Sequence, residues 1–195
     1  AGIYVIGPDG TPFRVGFAPD SRSALKEHLT SKGVLVEVMV EAGLLIAPDD
    51  GGAPYDRFRG RVIFPIADGR GRVIAFGGRV LGEGEPKDLN SPETAVFSKG
   101  RELYGLYQAQ KAIREDERVL VVEGYMDVVA LHQYGIGYAV ATLGTATTEQ
   151  HIERLFRLAD EVVFSFDGDK AGMRAAWRAL ENAFPALQDG KAVKF

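Results

Sequence analysis

One short stretch constrains the fold of this chain more than any other. Residues 118–131 read RVLVVEGYMDVVAL. The apolar run Val119 to Val122 has the length of a strand and the uniformity of one that is buried on both faces of a parallel sheet. Gly124 permits a sharp turn, and residues 125–134 have the apolar spacing of a helix. The stretch therefore predicts a strand, a turn and a helix whose inner side carries Met126, Val129 and Ala130.

A carboxylate, Glu123, stands where this strand ends. Open α/β sheets bind their ligands at the carboxyl ends of the strands, so an acidic residue there is a candidate binding group. Asp127 follows one helical turn later. The alternative is structural, because an acid near the start of a helix satisfies free N–H groups and favours the positive end of the helix dipole.

The alternation of strand and helix continues downstream. Further strands are predicted over 137–141, 162–166 and 192–195. The helix predicted over 148–159 has a capping box at Thr147 and Gln150. The helix beyond residue 170 is predicted to bury Met173, Ala176, Trp177 and Leu180. This order predicts an α/β fold with a doubly wound parallel sheet.

The first part of the chain has a different character. Its predicted elements are two short helices and a β-hairpin, over 20–31, 35–42, 61–66 and 72–76. Pro86 and Pro92 disfavour helix, so an extended polar loop is expected around them, followed by a helix that ends near Arg114. We therefore expect an α+β N-terminal subdomain of residues 1–115, joined to a Rossmann-like parallel sheet in residues 116–195.

Charge and composition narrow the function classes. The net charge is −4, yet residues 57–114 hold eleven Lys and Arg against six Asp and Glu, whereas residues 116–195 hold eight against twelve. Such a division suits a protein that holds a polyanion with one part and metal ions with the other, although ordinary surface charge would look the same. With no Cys and three scattered His, thiolate and histidine metal sites are not expected. No apolar run approaches the roughly 20 residues of a membrane span, and the first ten residues lack signal-peptide features, so a cytoplasmic protein without a membrane partner is expected.

The acidic residues at the strand ends form a candidate metal site. Asp167 and Asp169 follow the strand predicted over 162–166, as Glu123 follows the first strand, and Gly168 is expected to keep the turn tight. If the two strands are neighbours, three carboxylates converge and repel one another unless cations lie among them. Mg²⁺ prefers oxygen ligands, and paired metal ions stabilise phosphoryl transfer. Taken singly, Asp169 would be a helix N-cap and Asp167 a turn residue.

Basic residues recur between positions 57 and 99, interleaved with phenylalanines. Guanidinium groups suit phosphate oxygens, and nearby glycines would let a backbone approach a polyphosphate or a nucleic-acid strand. The alternative is that the charges protect an edge strand and the phenylalanines form a core. The residues are Arg57, Arg59, Arg61, Arg79, Lys87 and Lys99, with Phe58, Phe64, Phe76 and Phe97.

Several of these segments resemble a known family. EGYMDVVAL at 123–131 and FDGDKAG at 166–172 are similar to the TOPRIM domain shared by topoisomerases and primases. Upstream segments resemble the RNA-polymerase core of bacterial replicative primases: RFRGRVIFPI at 57–66, GGRVLG at 77–82, LNSPET at 89–94 and KGRELYGLY at 99–107, with FRVGFAP at 13–19 as a weaker extension.

The resemblance implies a template-directed RNA polymerase that makes short RNA primers on single-stranded DNA from ribonucleoside triphosphates, at the bacterial replication fork. It implies a replicative helicase as partner, through a C-terminal module. It also implies that Mg²⁺ or Mn²⁺ is held by Glu123, Asp167 and Asp169, with Asp127 close by and Glu123 assisting proton transfer. The residues implied to contact nucleotide or template are Arg57, Arg79, Lys87, Asn90 and Lys99.

The chain departs from the family pattern in three respects. Asp88 stands where the family usually has an aromatic residue. The family's zinc module and helicase-binding module are absent, and the chain stops before a further Asp-x-Asp cluster, so we expect weak metal binding and poor priming by this chain alone. The alternatives from other classes are a topoisomerase or nuclease TOPRIM domain, a phosphoaspartate hydrolase with Asp167 as nucleophile, and a metal-dependent module that binds single-stranded DNA.

Overall fold

A computed structural model describes residues 13–195. Residues 1–12, which include the predicted start of the N-terminal subdomain and the stretch compared with signal peptides, lie outside the described residues. The strands are β1 Gly16–Ala18, β2 Leu45–Ile46, β3 Tyr55–Asp56, β4 Arg61–Ala67, β5 Val73–Val80, β6 Asp88–Asn90, β7 Arg118–Val122, β8 Ala139–Ala141, β9 Glu161–Phe164 and β10 Ala192–Lys194. The helices are α1 Ala24–Thr30, α2 Val36–Glu41, α3 Leu106–Asp116, α4 Tyr125–Gln133, α5 Glu149–Phe156 and α6 Lys170–Ala183, with a 3₁₀ turn at Phe184–Ala186. None of the helices in residues 13–195 has the length and apolar character to cross a bilayer.

A parallel sheet in the order β10-β9-β7-β8 occupies the second half of the chain. Strand β7 lies inside it, as its uniform apolar run predicts. Val119 and Val121 face a core that also contains residues of α3, α5 and α6, whereas Val122 joins a second core with α4. Helices thus cover both faces of the sheet, and the predicted α/β class is confirmed.

An antiparallel sheet in the order β1-β4-β5-β6 lies in the first half. The predicted hairpin of β4 and β5 is present, with Phe64 opposite Gly77. The loop predicted around Pro86 and Pro92 contains one more strand, because β6 pairs with the outer part of β5. Sequence patterns do not reveal β6 because it has only three residues.

The two sheets share a hydrophobic core. Phe64 of β4 stacks on Tyr125 of α4 with ring centroids 5.3 Å apart, and Tyr104 meets the same ring edge-on at 4.8 Å. A Cβ atom at Gly77 would lie 2.5 Å from the Tyr125 ring, so a glycine is required for this approach. Helix α3 crosses the predicted boundary at residue 115 and contributes Leu106, Ala109 and Ile113 to the core under the parallel sheet.

Helix α4 presents a different face to the core from the one predicted. Met126 and Ala130 are not among its buried residues, and Met126 is 51% exposed. The buried side instead consists of Tyr125, Val128, Val129 and His132. The apolar pattern is misleading because two of the inner positions carry polar atoms, which the structure satisfies: the Tyr125 hydroxyl donates to Asn90, and His132 Nε2 bonds to the carbonyl of Ala139.

Helix α6 also has a different inner face from the one predicted. Met173 and Trp177 are 65% and 63% exposed, and Ala176 and Leu180 are not among the buried residues of the helix. Gly172, Ala179 and Ala183 are the buried residues, because small side chains let the helix approach the sheet closely. The predicted cap of α5 is displaced by one residue, since Thr148 is the N-cap and His151, not Gln150, completes the capping box.

Candidate metal centre and basic surface

The acidic ends of β7 and β9 meet at one edge of the parallel sheet. The two strands are neighbours, with Val121 opposite Phe164. Glu123 Oε1 accepts a hydrogen bond of 2.8 Å from the backbone N–H of Asp167. The two strands are therefore adjacent, which is the condition under which the acids at their ends can share one site.

Two of the four candidate acids also have structural roles. Asp169 is the N-cap of α6, and its Oδ1 accepts hydrogen bonds of 2.8 Å from the N–H groups of Ala171 and Gly172. These donors, together with the nearby Arg174, hold the pKa of the Asp169 carboxyl below its usual value. Asp127 accepts a hydrogen bond of 3.1 Å from the N–H of Gly124 at the start of α4. The capping interpretation of Asp169 is thus confirmed, and it leaves its second oxygen available.

The donor set suits a hard divalent cation. Within residues 13–195 the Asp167 carboxylate has no hydrogen bond or ion pair, and Glu123 uses one oxygen only. No group of three or more His, Cys, Asp or Glu side chains in this range is arranged to enclose a metal ion. Mg²⁺ is commonly held by one or two carboxylates together with water and substrate phosphates, so an open pair of acids fits such an ion. The metal assignment itself stays a prediction.

A glycine that the sequence analysis did not single out shapes this edge. A Cβ atom at Gly172 would fall far inside van der Waals contact with the carbonyl oxygen of Asp167, so the first turn of α6 packs directly on the Asp167 backbone. A Cβ atom at Gly168, by contrast, would meet no other atom within 4 Å, and its φ is not left-handed. Glycine is therefore required at position 172 and not, as expected from the sequence, at position 168.

Four of the five predicted nucleotide-contacting residues lie in or next to the antiparallel sheet, and Lys99 lies in a loop held by α5. Arg57 precedes β4 and has a buried Nε atom without a hydrogen-bond partner, and burial lowers the pKa of its guanidinium. Arg79 on β5 forms an ion pair of 3.0 Å with Asp88, and both side chains are about half exposed. Such an exposed pair contributes little stability, so the Arg79 guanidinium can exchange its partner for a phosphate.

The other three residues are partly engaged by the fold. Lys87 is exposed, and its backbone carbonyl accepts a hydrogen bond of 3.1 Å from Arg61. The Asn90 side chain accepts from the Tyr125 hydroxyl and donates to the carbonyl of Leu143 at 2.8 Å, so it connects the two sheets. The Lys99 backbone is held at both its N–H and its carbonyl group, which leaves the side chain for other contacts.

Helix α5 holds the loop that contains Lys99. Thr148 Oγ1 donates to the carbonyl of Gly100 at 2.6 Å. His151 Nε2 lies 3.0 and 3.1 Å from the carbonyls of Lys99 and Glu102, and Arg154 forms an ion pair of 2.6 Å with the buried Glu102. We call these contacts of Thr148, His151 and Arg154 with residues 99–102 the α5 clamp. The sequence alone did not predict the clamp, because its two sides lie about fifty residues apart in the chain.

Comparison with known proteins decides the family. The model of the DNA primase catalytic core, N-terminal domain, matches residues 9–110, which is more than half of the chain, and the Toprim domain model matches residues 117–195. The chain belongs to the DNA primase catalytic core family. The predicted relationship to bacterial primases is confirmed.

Individual bacterial DNA primases are similar to this chain over nearly all of its length. The chain is 60% identical over 194 residues to the DNA primase of Pseudomonas aeruginosa, covering 100% of this chain and 29% of that protein, and 56% identical over 183 residues to the DNA primase of Escherichia coli K12, covering 94% and 31%. It therefore spans less than a third of the length of these relatives.

Solved structures agree with the fold. A DNA primase domain from Pseudomonas aeruginosa has 59% identity and a TM-score of 0.86, covering 93% of this chain and 56% of that one. The Escherichia coli primase catalytic core has 56% identity and a TM-score of 0.85, covering 93% and 57%. A primase catalytic domain bound to single-stranded DNA has 55% identity and a TM-score of 0.83, covering 93% and 56%.

Proposed function

We propose that this chain is part of the catalytic core of a bacterial DNA primase, which synthesises short RNA primers on single-stranded DNA from ribonucleoside triphosphates. The observation that carries the proposal is the hydrogen bond between Glu123 and the Asp167 backbone, which joins two acidic strand ends in the Toprim segment of a primase-family chain. The primase domain solved with single-stranded DNA supports the choice of template.

Glu123 and Asp167 are the proposed ligands of Mg²⁺ or Mn²⁺, with Asp169 and Asp127 beside them. A bound divalent ion would neutralise phosphate charge during nucleotidyl transfer. The chain's own residues contribute position: the Asp167 N–H orients Glu123, and the Ala171 and Gly172 N–H groups keep Asp169 ionised. Glu123 is also proposed to assist proton transfer.

The antiparallel sheet is the proposed surface for template and nucleotide. Arg79 and Lys87 are exposed there, Arg57 and Lys99 are half-buried beside it, and cation-rich surfaces that follow a backbone are what binding of single strands requires. We assign the contacts to Arg57, Arg79, Lys87 and Lys99. Asn90 is proposed to contact the same ligand, and its side chain also accepts a hydrogen bond from Tyr125 of α4. We also propose that the protein acts at the replication fork, in the bacterial cytoplasm and nucleoid. Its proposed partner is the replicative helicase, bound through a segment outside this chain.

Incorporation of labelled ribonucleotides on a single-stranded template tests this function, using this chain within its longer primase. Asp167→Asn is expected to reduce incorporation by about a hundredfold or more, because a metal ligand loses its charge. Asp189→Asn is the matched control, since Asp189 is exposed and precedes β10 at the outer edge of the same sheet. Equal incorporation by the wild type and Asp167→Asn would reject the proposed catalytic site.

A further inference from the structure

A cleft with a volume of about 340 Å³ lies between α6 and the loop that follows β8. Arg174 and Arg178 line it from α6, Thr145 and Thr147 line it from the loop, and Glu123 lines it at the acidic edge. The two arginines are one helical turn apart, so their side chains are neighbours on the helix surface.

The arginines of the cleft are not used by the rest of the described chain. Within residues 13–195, neither Arg174 nor Arg178 makes a side-chain hydrogen bond or an ion pair, although Arg174 is close enough to lower the pKa of Asp169. Glu123 is the only other charged residue that lines the cleft in this range, so the lining has a net charge of +1. Unpaired guanidinium groups suit a ligand with several anionic oxygens.

The walls of the cleft are fixed relative to one another. The side-chain amide of Asn182 on α6 donates a hydrogen bond of 2.7 Å to the carbonyl of Thr147 in the loop. Thr147 is itself buried. The arginines therefore project from a rigid helix toward a loop that is tied to that helix, and little rearrangement is needed to bind an anion.

We propose that Arg174 and Arg178 bind a pyrophosphate group in this cleft, either the phosphate chain of an incoming ribonucleoside triphosphate or the pyrophosphate released from it. The inference rests on the proposed function, because it assigns a substrate subsite to the same acidic edge. It follows from position: a divalent ion on Glu123 would lie at one wall of the cleft, and the arginines supply positive charge at the other.

The size of the cleft favours a phosphate chain over a nucleic-acid strand. Its volume is near the lower end of the range of about 300–1,000 Å³ found for small-molecule pockets. A single strand requires an extended basic groove with stacking aromatic side chains. Phe166, the one aromatic residue among those that line the cleft in the described range, packs against the core under the sheet.

Equilibrium dialysis with ³²P-labelled inorganic pyrophosphate tests the subsite. In the absence of metal ions, the double variant Arg174→Ala/Arg178→Ala is expected to bind pyrophosphate at least about tenfold more weakly than the wild type, because charged hydrogen bonds are lost. Arg174→Lys/Arg178→Lys is expected to recover part of the affinity, since the charge returns without the bidentate fork. Arg157→Ala is the matched control, because Arg157 is an exposed arginine that lies beyond α5 and outside the cleft.

The Arg157→Ala control and two further measurements, with oligothymidylate and with Mn²⁺, separate the possible results. Equal losses in the double variant and in Arg157→Ala would overturn the proposal, since the effect would then be nonspecific charge. A larger loss for a single-stranded oligothymidylate than for pyrophosphate would overturn it in favour of a backbone contact. Glu123→Gln should abolish the extra affinity that Mn²⁺ confers and leave metal-free binding intact; if Mn²⁺ enhances both proteins equally, the metal assignment fails while the arginine subsite stands.

Discussion

The position of Asp167 depends on its backbone more than on its side chain. Its N–H is bonded to Glu123, and its carbonyl oxygen is packed against Gly172 in the first turn of α6. The carboxylate itself makes no hydrogen bond or ion pair within residues 13–195. Because backbone contacts on both sides fix the residue, the carboxylate can be oriented for a ligand without being neutralised by a protein cation.

Gly172→Ala tests this packing. In most helices alanine is more favourable than glycine by about 1 kcal/mol. Here we expect a net destabilisation of roughly 1–3 kcal/mol, because the added methyl group must push α6 away from the Asp167 backbone. Urea denaturation measures the stability, and a Mn²⁺ titration followed by electron paramagnetic resonance should show weaker binding as Asp167 moves away from Glu123.

Gly168→Ala is the control for this substitution, since a methyl group there meets no atom within 4 Å. Its stability should stay within about 0.5 kcal/mol of the wild type. A Gly172→Ala protein that is more stable than the wild type, with unchanged Mn²⁺ binding, would show that the close packing on Asp167 is not a constraint.

At the scale of elements, α5 acts as a clamp through residues spaced three apart. Thr148, His151 and Arg154 each bond to the loop of residues 99–102. The loop carries Lys99, one of the proposed nucleotide contacts, so the clamp positions that residue. Its strength depends on the charge state of one histidine and on one buried ion pair.

The histidine makes the clamp sensitive to pH. His151 Nδ1 accepts the N–H of Thr148 at 3.1 Å, so Nε2 carries the proton and donates to the two loop carbonyls. Burial lowers the pKa of His151, although the carbonyls and Glu102 oppose this and Arg154 adds to it. The His151 side chain therefore binds a proton more readily in the unfolded chain than in the folded protein. Neutral His151 consequently contributes its full stabilisation above the ordinary histidine pKa of about 6.5, and this stabilisation is lost as the pH falls below that value.

Urea denaturation between pH 7.5 and pH 5 measures this dependence. We expect the free energy of unfolding to fall with pH in the wild type, and His151→Gln to flatten the part of the curve below about pH 6.5. His28→Gln, at an exposed position on α1 and outside the clamp, is the matched control for replacing a histidine by glutamine. Parallel curves for the wild type and His151→Gln would remove His151 as the source.

The ion pair of the clamp has a large and testable effect. The Glu102 side chain is 8% exposed and faces Arg154 at 2.6 Å, with Arg101 farther away at 3.8 Å. Arg154→Ala should cost about 3 kcal/mol in thermal or urea unfolding, because the buried carboxylate loses its main partner. Arg157→Ala removes an exposed pair with Glu153 of α5 and should cost less than about 1 kcal/mol. Equal costs would show that burial of Glu102 is unimportant.

At the scale of the whole molecule, local patterns predicted the elements better than their contacts. Strands β7 and β9 were recognisable from uniform apolar runs followed by acids. The inner face of α6 was not, because it packs through Gly172, Ala179 and Ala183 while Met173 and Trp177 point outward.

The candidate site was predictable only in part for the same reason. The acids are recognisable by their place at strand ends, and the adjacency of β7 and β9 brings them together. Arg174 and Arg178 are ordinary helix-surface residues until a loop some thirty residues earlier closes a cleft over them. The α5 clamp and the Asn90 bridge likewise depend on partners from distant parts of the chain.

The shared core predicts that the two sheets unfold together. Gly77 belongs to the antiparallel sheet, yet a methyl group there would strike the ring of Tyr125, which packs against Phe64 and Tyr104. Gly77→Ala should therefore destabilise the protein by roughly 1–3 kcal/mol and speed hydrogen exchange in peptides from β7 and β9 as well as from β4 and β5. Gly16→Ala, in β1 with no atom within 4 Å of the new Cβ, should leave exchange in β7 and β9 unchanged. Faster exchange confined to β4 and β5 in Gly77→Ala would mean that the sheets unfold independently, and that the contacts of Tyr125 and Asn90 do not transmit stability from the proposed nucleic-acid surface to the proposed metal-binding edge.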